Sequence, residues 1–111
     1  MRVLHLTLKK KWFDMISSGE KKEEYRELKP YWSQRFLSHN TLLNPYFYVL
    51  FRNGYAKDAP EIMLEIKSIE IGNAKPEWSD NWHGEVFVIK LGDFIDPNSG
   101  ISLYAFNNQL S

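Results

Sequence analysis

A chain of 111 residues, 43% hydrophobic and 15% aromatic, has room for one domain and enough apolar side chains for one core. This composition excludes a disordered chain, and the absence of cysteine excludes disulfides and thiolate metal sites. The formal net charge is zero, yet residues 1–57 carry 11 Lys and Arg against 5 Asp and Glu, whereas residues 58–111 carry 3 against 9. The asymmetry predicts one cationic and one anionic region, unless folding interleaves the two halves.

Features that define several functional classes are missing from the sequence. The chain start has no basic segment leading into an apolar run, and no apolar run approaches the ~20 residues that span a bilayer. His5, His39 and His83 lie far apart without cysteine partners, and no Gly-rich phosphate loop or nucleophile elbow occurs. We therefore expect a cytoplasmic protein with no membrane contact, no metal and no cofactor.

The first third of the chain predicts a strand, a helix, a charged strand and a second helix. Val3–Leu8 alternates as a half-buried strand does, and Lys9–Ser18 places apolar residues at helical spacing. Gly19 then suits the left-handed end of that helix. Glu20–Leu28 is too charged to be predicted as a strand from hydrophobicity alone, but the alternation of its side chains with a period of two residues fits a strand. We expect the second helix over Pro30–Leu37, because proline suits a first helical turn.

The rest of the chain predicts strands separated by loops. Tyr46–Phe51 and Glu85–Leu91 are apolar on both faces, which is typical of strands inside a sheet. The longest predicted strand changes the phase of its apolar alternation near Lys67-Ser68, which predicts a β-bulge there. In chain order we expect a loop over Ser38–Pro45, a strand over Tyr46–Phe51, a turn over Arg52–Tyr55, a loop over Ala56–Pro60, a strand over Glu61–Ile71, a polar loop over Gly72–Gly84 and a strand over Glu85–Leu91.

These elements amount to five or six strands with two short helices near the N-terminus. Because no helix separates the later strands, a doubly wound parallel sheet does not fit. We expect an α+β fold in which a mixed or antiparallel sheet curls into a small barrel. Residues 1–111 are expected to form a single domain, with residues 96–111 as a C-terminal tail or an edge strand.

The segment that joins the first helix to the charged strand carries a motif. Gly19-Glu20-Lys21-Lys22-Glu23-Glu24-Tyr25-Arg26 fits the pattern Gly-x-Lys-x-x-Glu-x-Arg and directly follows a strand and a short amphipathic helix. With the later segments Phe51–Tyr55, Lys75–Trp78 and Val86–Asp93, it resembles the ASCH family, named for activating signal cointegrator homology. It is similar to the stand-alone ASCH proteins of bacterial and prophage genomes, and the resemblance covers about residues 3–95.

The resemblance implies a PUA-like β-barrel, with a cleft between barrel and helices that binds RNA or a nucleotide-like ligand. Some bacterial members with this motif are small amidohydrolases that act on an acylated cytidine. Their catalytic set pairs the motif lysine with a threonine three residues on and a glutamate elsewhere. Lys21 matches that lysine, but Glu24 stands in place of the threonine, and the helical insertion expected to carry the third residue is missing.

The motif residues also have a chemistry of their own. Glu24 and Arg26, two apart on one strand, project to the same face, where the carboxylate can hold the arginine fork for a phosphate or a base edge. Lys21 begins this strand, on the opposite face by the same alternation. It could add charge to a phosphate, or act as a base if burial lowered its pKa. The alternative is an ordinary surface salt bridge beside a solvated lysine.

Further candidate ligand contacts lie outside the motif. Lys9, at the start of the first helix, could track phosphate because that helix end attracts anions, or it could simply be solvated. Arg52, Asn53 and Tyr55 form a turn in which Tyr55 could stack on a base while Asn53 reads its edge, the alternative being plain turn geometry. Trp78, like the second tryptophan of its loop, is either a stacking platform or an anchor of that loop on the core.

Three functions follow from these residues, in order of preference. The first is an RNA- or nucleotide-binding module with a cationic cleft around the motif. The second is a small hydrolase, either an amidohydrolase on a modified nucleoside or a ribonuclease, with Lys21 and Glu24 as the proton-transfer pair. The third is a protein-interaction domain that uses the acidic C-terminal half.

Overall fold

The computed structural model describes residues 2–38, 41–42, 46–99 and 102–103. Within these ranges, α1 spans Lys10–Ser17, α2 spans Pro30–Phe36, and a 3-10 turn spans Pro76–Trp78. The strands are β1 over Val3–Leu8, β2 over Glu23–Glu27, β3 over Leu37–Ser38, β4 over Thr41–Leu42, β5 over Tyr48–Asn53, β6 over Glu61–Asn73 and β7 over Glu85–Phe94.

Five of these strands form one mixed sheet in the order β1-β5-β6-β7-β2. The pairing of β1 with β5 is parallel and the other three pairings are antiparallel. The sheet curls into a half-barrel, and β1 and β2 do not pair with each other in the described part of the chain. The protein is therefore a small α+β domain with two helices and a curled sheet, as the sequence predicted.

Strand β7 has an apolar core on each of its faces. Phe87 and Ile89 are fully buried in the main cluster, where the ring of Phe87 meets that of Phe36 from α2 edge-on at 5.1 Å. Val86 and Val88 point the other way and pack with Tyr25 of β2 in a second, smaller cluster. The prediction that this strand is buried on both faces is confirmed, and β2 acquires a buried face through it.

Several local predictions are confirmed because nearby residues decide them. Helix α1 is followed by Gly19 with a φ of 85°, in the left-handed region where a residue without a Cβ is unstrained. Pro30 occupies the first turn of α2. The register of β6 against β7 shifts on either side of Ile66, beside the bulge predicted at Lys67-Ser68.

Other predictions are wrong because long-range pairing overrides the local signal. Arg52 and Asn53 belong to β5 and not to a turn, since Thr7 and Leu8 of β1 pair with them, and the chain turns only at Gly54, whose φ is 87°. The loop expected over Ser38–Pro45 contains part of the β3–β4 pair; its remaining positions lie outside the described residues. Strands β6 and β7 each run past their predicted ends.

Of the predicted C-terminal tail or edge strand, only part lies among the described residues. There, Ile95 and Ser102 form an isolated antiparallel bridge. Residues 100–101 and 104–111 lie outside the described ranges.

The two oppositely charged halves of the sequence are interleaved in space. β2 pairs with β7 and β5 with β6, so each pairing joins a strand of the basic half to one of the acidic half. Ion pairs cross between the halves, with Lys9 Nζ 3.7 Å from Asp80 Oδ2 and Arg52 Nε 3.2 Å from Glu61 Oε2. The fold therefore brings the two halves into contact at these pairings. No helix in the described ranges has the length and apolar character needed to cross a membrane.

Candidate functional site

The chain between α1 and β2 brings Lys21 beside Glu24. After the helix, the Gly19 N–H donates to the carbonyl of Ile16 at 3.0 Å and the Lys21 N–H to the carbonyl of Met15 at 2.9 Å. β2 begins only at Glu23, so strand alternation does not extend back to Lys21. The prediction that Lys21 lies on the opposite face from Glu24 is therefore wrong, because Lys21 precedes the strand and its side chain reaches the same carboxylate.

Glu24 bridges two cations in a nearly dry environment. Its Oε1 accepts a hydrogen bond from Lys21 Nζ at 2.7 Å, and its Oε2 accepts one from Arg26 Nη1 at 2.6 Å. The side chains of Lys21, Glu24 and Arg26 are 2%, 5% and 17% exposed. These three residues, called the charged triad below, contain two positive charges and one negative charge when all are ionised. An ordinary surface salt bridge, the alternative drawn from the sequence, does not describe them.

Aromatic rings complete the surroundings of the two cations. Lys21 Nζ lies 4.4 Å from the ring centre of Trp12 and 5.5 Å from that of Tyr25, and the Arg26 guanidinium lies 5.4 Å from the ring centre of Trp32. Such faces attract cations and partly replace lost hydration. Burial nevertheless lowers the pKa of Lys21, since desolvation outweighs the attraction of Glu24, and the charge of Arg26 lowers it further.

Tyr25 fastens the β6–β7 loop, residues 74–84, over the charged triad. Its hydroxyl donates to Glu23 Oε1 at 2.8 Å and accepts the Lys75 N–H at 3.1 Å, and its ring meets Trp82 at 6.3 Å. Burial raises the pKa of Tyr25, so the hydroxyl keeps its proton and its donor role at neutral pH. The loop is thereby held where Asp80 and Trp82 can face the motif.

A cleft of about 430 Å³ opens in front of Glu24 and Arg26, within the size range of small-molecule sites. We call it the tryptophan cleft because three indoles line it, those of Trp12, Trp32 and Trp82. Its lining contains as many cationic as acidic side chains: Lys9, Arg26 and Lys29 against Glu24, Glu27 and Asp80. The lining of the cleft itself is thus charge-balanced, and the additional positive charge belongs to Lys21 behind it.

Lys21 does not line the tryptophan cleft but a smaller space beside it, called the inner cavity below, and the two spaces share five lining residues. This cavity measures about 60 Å³ and lies between the charged triad and the β6–β7 loop, where Trp78 also contributes to its wall. The volume suits ordered water and is too small for a nucleobase. Lys21 is therefore linked to the cleft through its hydrogen bond to the Glu24 carboxylate.

The structure brings together some of the predicted site residues. Glu24 and Arg26 line the cleft, Lys9 lies at its exposed rim beside Asp80, and Lys21 and Trp78 line the inner cavity.

Arg52, Asn53 and Tyr55 line neither space. Arg52 Nη2 donates to the carbonyl of Ala56 at 2.7 Å, and its Nε is near Glu61 without hydrogen-bond geometry. The Asn53 N–H donates to the carbonyl of Pro60, and Tyr55 is 90% exposed.

Sequence reasoning missed several residues of the cleft. From the sequence, Trp12 and Trp32 are expected only to contribute to the apolar faces of the two helices. In the structure both also line the cleft. Lys29 and Asp80 are not singled out at all. The available signal was the presence of tryptophan on both helices that flank the motif, because an aromatic ring near a buried arginine offers a stacking surface.

Comparisons with known proteins identify no relative: no family model, no curated protein and no solved structure matches the chain.

The cleft offers two kinds of recognition. Arg26 uses Nη1 for Glu24 Oε2 and the carbonyl of Tyr25, while its Nε and Nη2 form no hydrogen bond within the described ranges. That free edge can donate two parallel hydrogen bonds to a pair of acceptors. The indoles offer flat surfaces for a ring. Within the described part of the chain, no group of acidic and histidine side chains is arranged to hold a metal ion.

We expect Glu24→Gln to destabilise the fold strongly. An amide cannot neutralise the two cations, and its NH₂ group would face Lys21 or Arg26, so the free energy of unfolding should fall by about 3–5 kcal/mol. Urea unfolding measures this change. Asp14→Asn, which removes the exposed partner of Lys10, is the matched control and should cost less than about 1 kcal/mol. Equal, small losses in both variants would contradict burial of the charged triad.

The lowered pKa of Lys21 predicts a pH dependence of stability. Between its folded-state pKa and its ordinary value of 10.5, the unfolded chain binds this proton more tightly than the folded protein does. The free energy of unfolding of the wild type should therefore rise relative to that of Lys21→Met as the pH increases from about 7 to about 10. Other titrating groups, including Tyr25, are common to both proteins. A difference that stays constant or shrinks with pH would refute the lowered pKa.

Proposed function

We propose that the protein binds RNA or a nucleotide-like ligand, with a base in the tryptophan cleft and its acceptor edge on Arg26. The observation that carries this proposal is an arginine that is bonded through Nη1 to Glu24 and that lines a cleft together with three indoles. Base stacking on aromatic rings and base-edge reading by arginine are the two recurrent devices of single-strand recognition.

The charge of the cleft supports recognition of a base more than recognition of phosphate alone. A site for a polyphosphate would need an excess of cations, whereas here the cationic and acidic lining residues are equal in number. Lys9 and Lys29 stand at exposed positions, where each can meet a single phosphate at the mouth of the cleft. A base inside the tryptophan cleft with its phosphate at the rim suits this distribution of charged side chains.

The ASCH resemblance supports the same reading from the sequence side. Lys21, Glu24 and Arg26 are the three side-chain positions of the Gly-x-Lys-x-x-Glu-x-Arg pattern, and they are in mutual contact through the Glu24 carboxylate. We accordingly propose a PUA-like ASCH domain of the stand-alone bacterial or prophage type, working on RNA or nucleotides in the cytoplasm.

Arg26→Lys should weaken ligand binding while leaving the fold intact. Lysine retains a positive charge for Glu24 but lacks the free donor pair, so affinity should fall by about tenfold or more, the effect of losing one bidentate base contact. Quenching of tryptophan fluorescence during titration with nucleoside monophosphates and short RNA measures this affinity.

Arg52→Ala is the matched control for that experiment, since the Arg52 guanidinium bonds to its own loop and does not line the cleft. We expect its affinity to equal that of the wild type. If no base-containing ligand binds the wild type, or if Arg26→Lys binds as well as the wild type, the proposal fails.

A second candidate function is hydrolysis of a modified nucleoside or of RNA. The observation that favours it is the buried contact between Lys21 Nζ and Glu24 Oε1, together with the lowered pKa of Lys21, since a lowered pKa makes the neutral amine, the form that can accept a proton, easier to reach. Against it, the Lys21 side chain is almost fully buried and lines a cavity too small for a nucleobase.

Turnover distinguishes this second function from binding alone. If the protein is a hydrolase, an acylated cytidine or an RNA substrate should be cleaved, and Lys21→Met should lose turnover while it still quenches fluorescence on ligand binding. High-performance liquid chromatography of the products measures the reaction. Absence of turnover by the wild type, with binding intact, leaves the binding module as the function.

A further inference from the structure

A second concavity adjoins the tryptophan cleft. It has a volume of about 500 Å³, and we call it the side cavity. Glu27, Lys29 and Trp82 line both spaces, so the two share a rim made by the end of β2 and the β6–β7 loop. The two volumes each fall in the range of sites that hold one small ligand. Together they form a groove with two compartments.

The shared rim offers one mobile cation. Lys29 Nζ lies 3.1 Å from Glu27 Oε2, and the two side chains are 62% and 55% exposed. An ion pair this exposed contributes little to stability, so the ammonium can leave Glu27 for another anion at small cost. A phosphate placed on the rim between the compartments would lie within reach of Lys29.

The side cavity itself suits a neutral ring with a polar edge. Leu28 and the Trp82 indole provide apolar surface, while Asn81, His83 and Glu85 provide polar groups around it. Carboxylate and amide oxygens accept hydrogen bonds from the amino groups of bases. Because its acidic residues outnumber Lys29, a triphosphate tail would be repelled from this compartment.

The geometry points to a nucleic-acid strand of at least two nucleotides as the ligand, and not to a free nucleotide. One base occupies the tryptophan cleft, the phosphodiester lies at Lys29 on the shared rim, and the neighbouring nucleoside occupies the side cavity. This inference rests on the proposed function and specifies its substrate class. It assigns a binding role to Lys29, His83 and the side cavity, none of which belongs to the motif.

The test compares ribodinucleoside monophosphates with the matching nucleoside monophosphates and triphosphates on the wild-type protein. Tryptophan fluorescence quenching gives each affinity. We expect the dinucleotide to bind about tenfold or more tightly than the monophosphate, because a second stacked base and a placed phosphodiester are added. The triphosphate should bind no more tightly than the monophosphate.

Variants at exposed residues show which side chains produce the higher affinity for the dinucleotide. Lys29→Ala and His83→Ala should each reduce dinucleotide affinity several-fold, whereas Lys57→Ala, an exposed lysine outside both cavities, should not. Equal affinity for dinucleotide and monophosphate would overturn the inference and leave the proposed function standing. A triphosphate that binds more tightly than the dinucleotide would also overturn it. Failure of all base-containing ligands to bind would instead overturn the proposed function itself.

Discussion

The site depends on the two hydrogen-bonded ion pairs that the Glu24 carboxylate forms with Lys21 and Arg26. The side chains of Lys21 and Arg26 are both largely buried beside this carboxylate, and without it the two cations would repel each other there. Desolvation makes such an arrangement expensive, and the faces of Trp12 and Trp32 offset only part of that cost. The net result is a small region of positive charge, held rigidly behind an otherwise balanced cleft.

For the binding function that we propose, this arrangement contributes rigidity. A free arginine side chain loses rotamer freedom when it meets a ligand, whereas Arg26 is already fixed through Nη1 by Glu24 and by the carbonyl of Tyr25. Its remaining donors therefore present a fixed edge. The same strand supplies Tyr25, whose hydroxyl holds the β6–β7 loop through the Lys75 N–H, so one wall of the cleft and its recognition edge have a common support. A single short strand, β2, thus organises both charge and shape.

The sequence predicted those parts of the protein that adjacent residues decide. Gly19 ends α1, Pro30 begins α2, and β1 alternates, because each depends on local backbone preference or on one buried face. Contacts between distant residues escaped prediction. β5 continues through Arg52 and Asn53 because β1 pairs with it, and the Tyr25–Lys75 contact joins residues 50 apart. In the site, the motif identified Lys21, Glu24 and Arg26, but strand alternation put Lys21 on the wrong face, because its contact with Glu24 depends on where β2 begins. The wall of tryptophans depends on how the helices and the β6–β7 loop pack.

The account is tested most directly by a crystal structure of the protein with a ribodinucleoside monophosphate bound. It predicts a base ring against the indoles of the tryptophan cleft, Nε and Nη2 of Arg26 donating to that nucleotide, and Nη1 still bonded to Glu24. A ligand bound elsewhere on the domain, or an Arg26 side chain turned away from Glu24 in the complex, would contradict it.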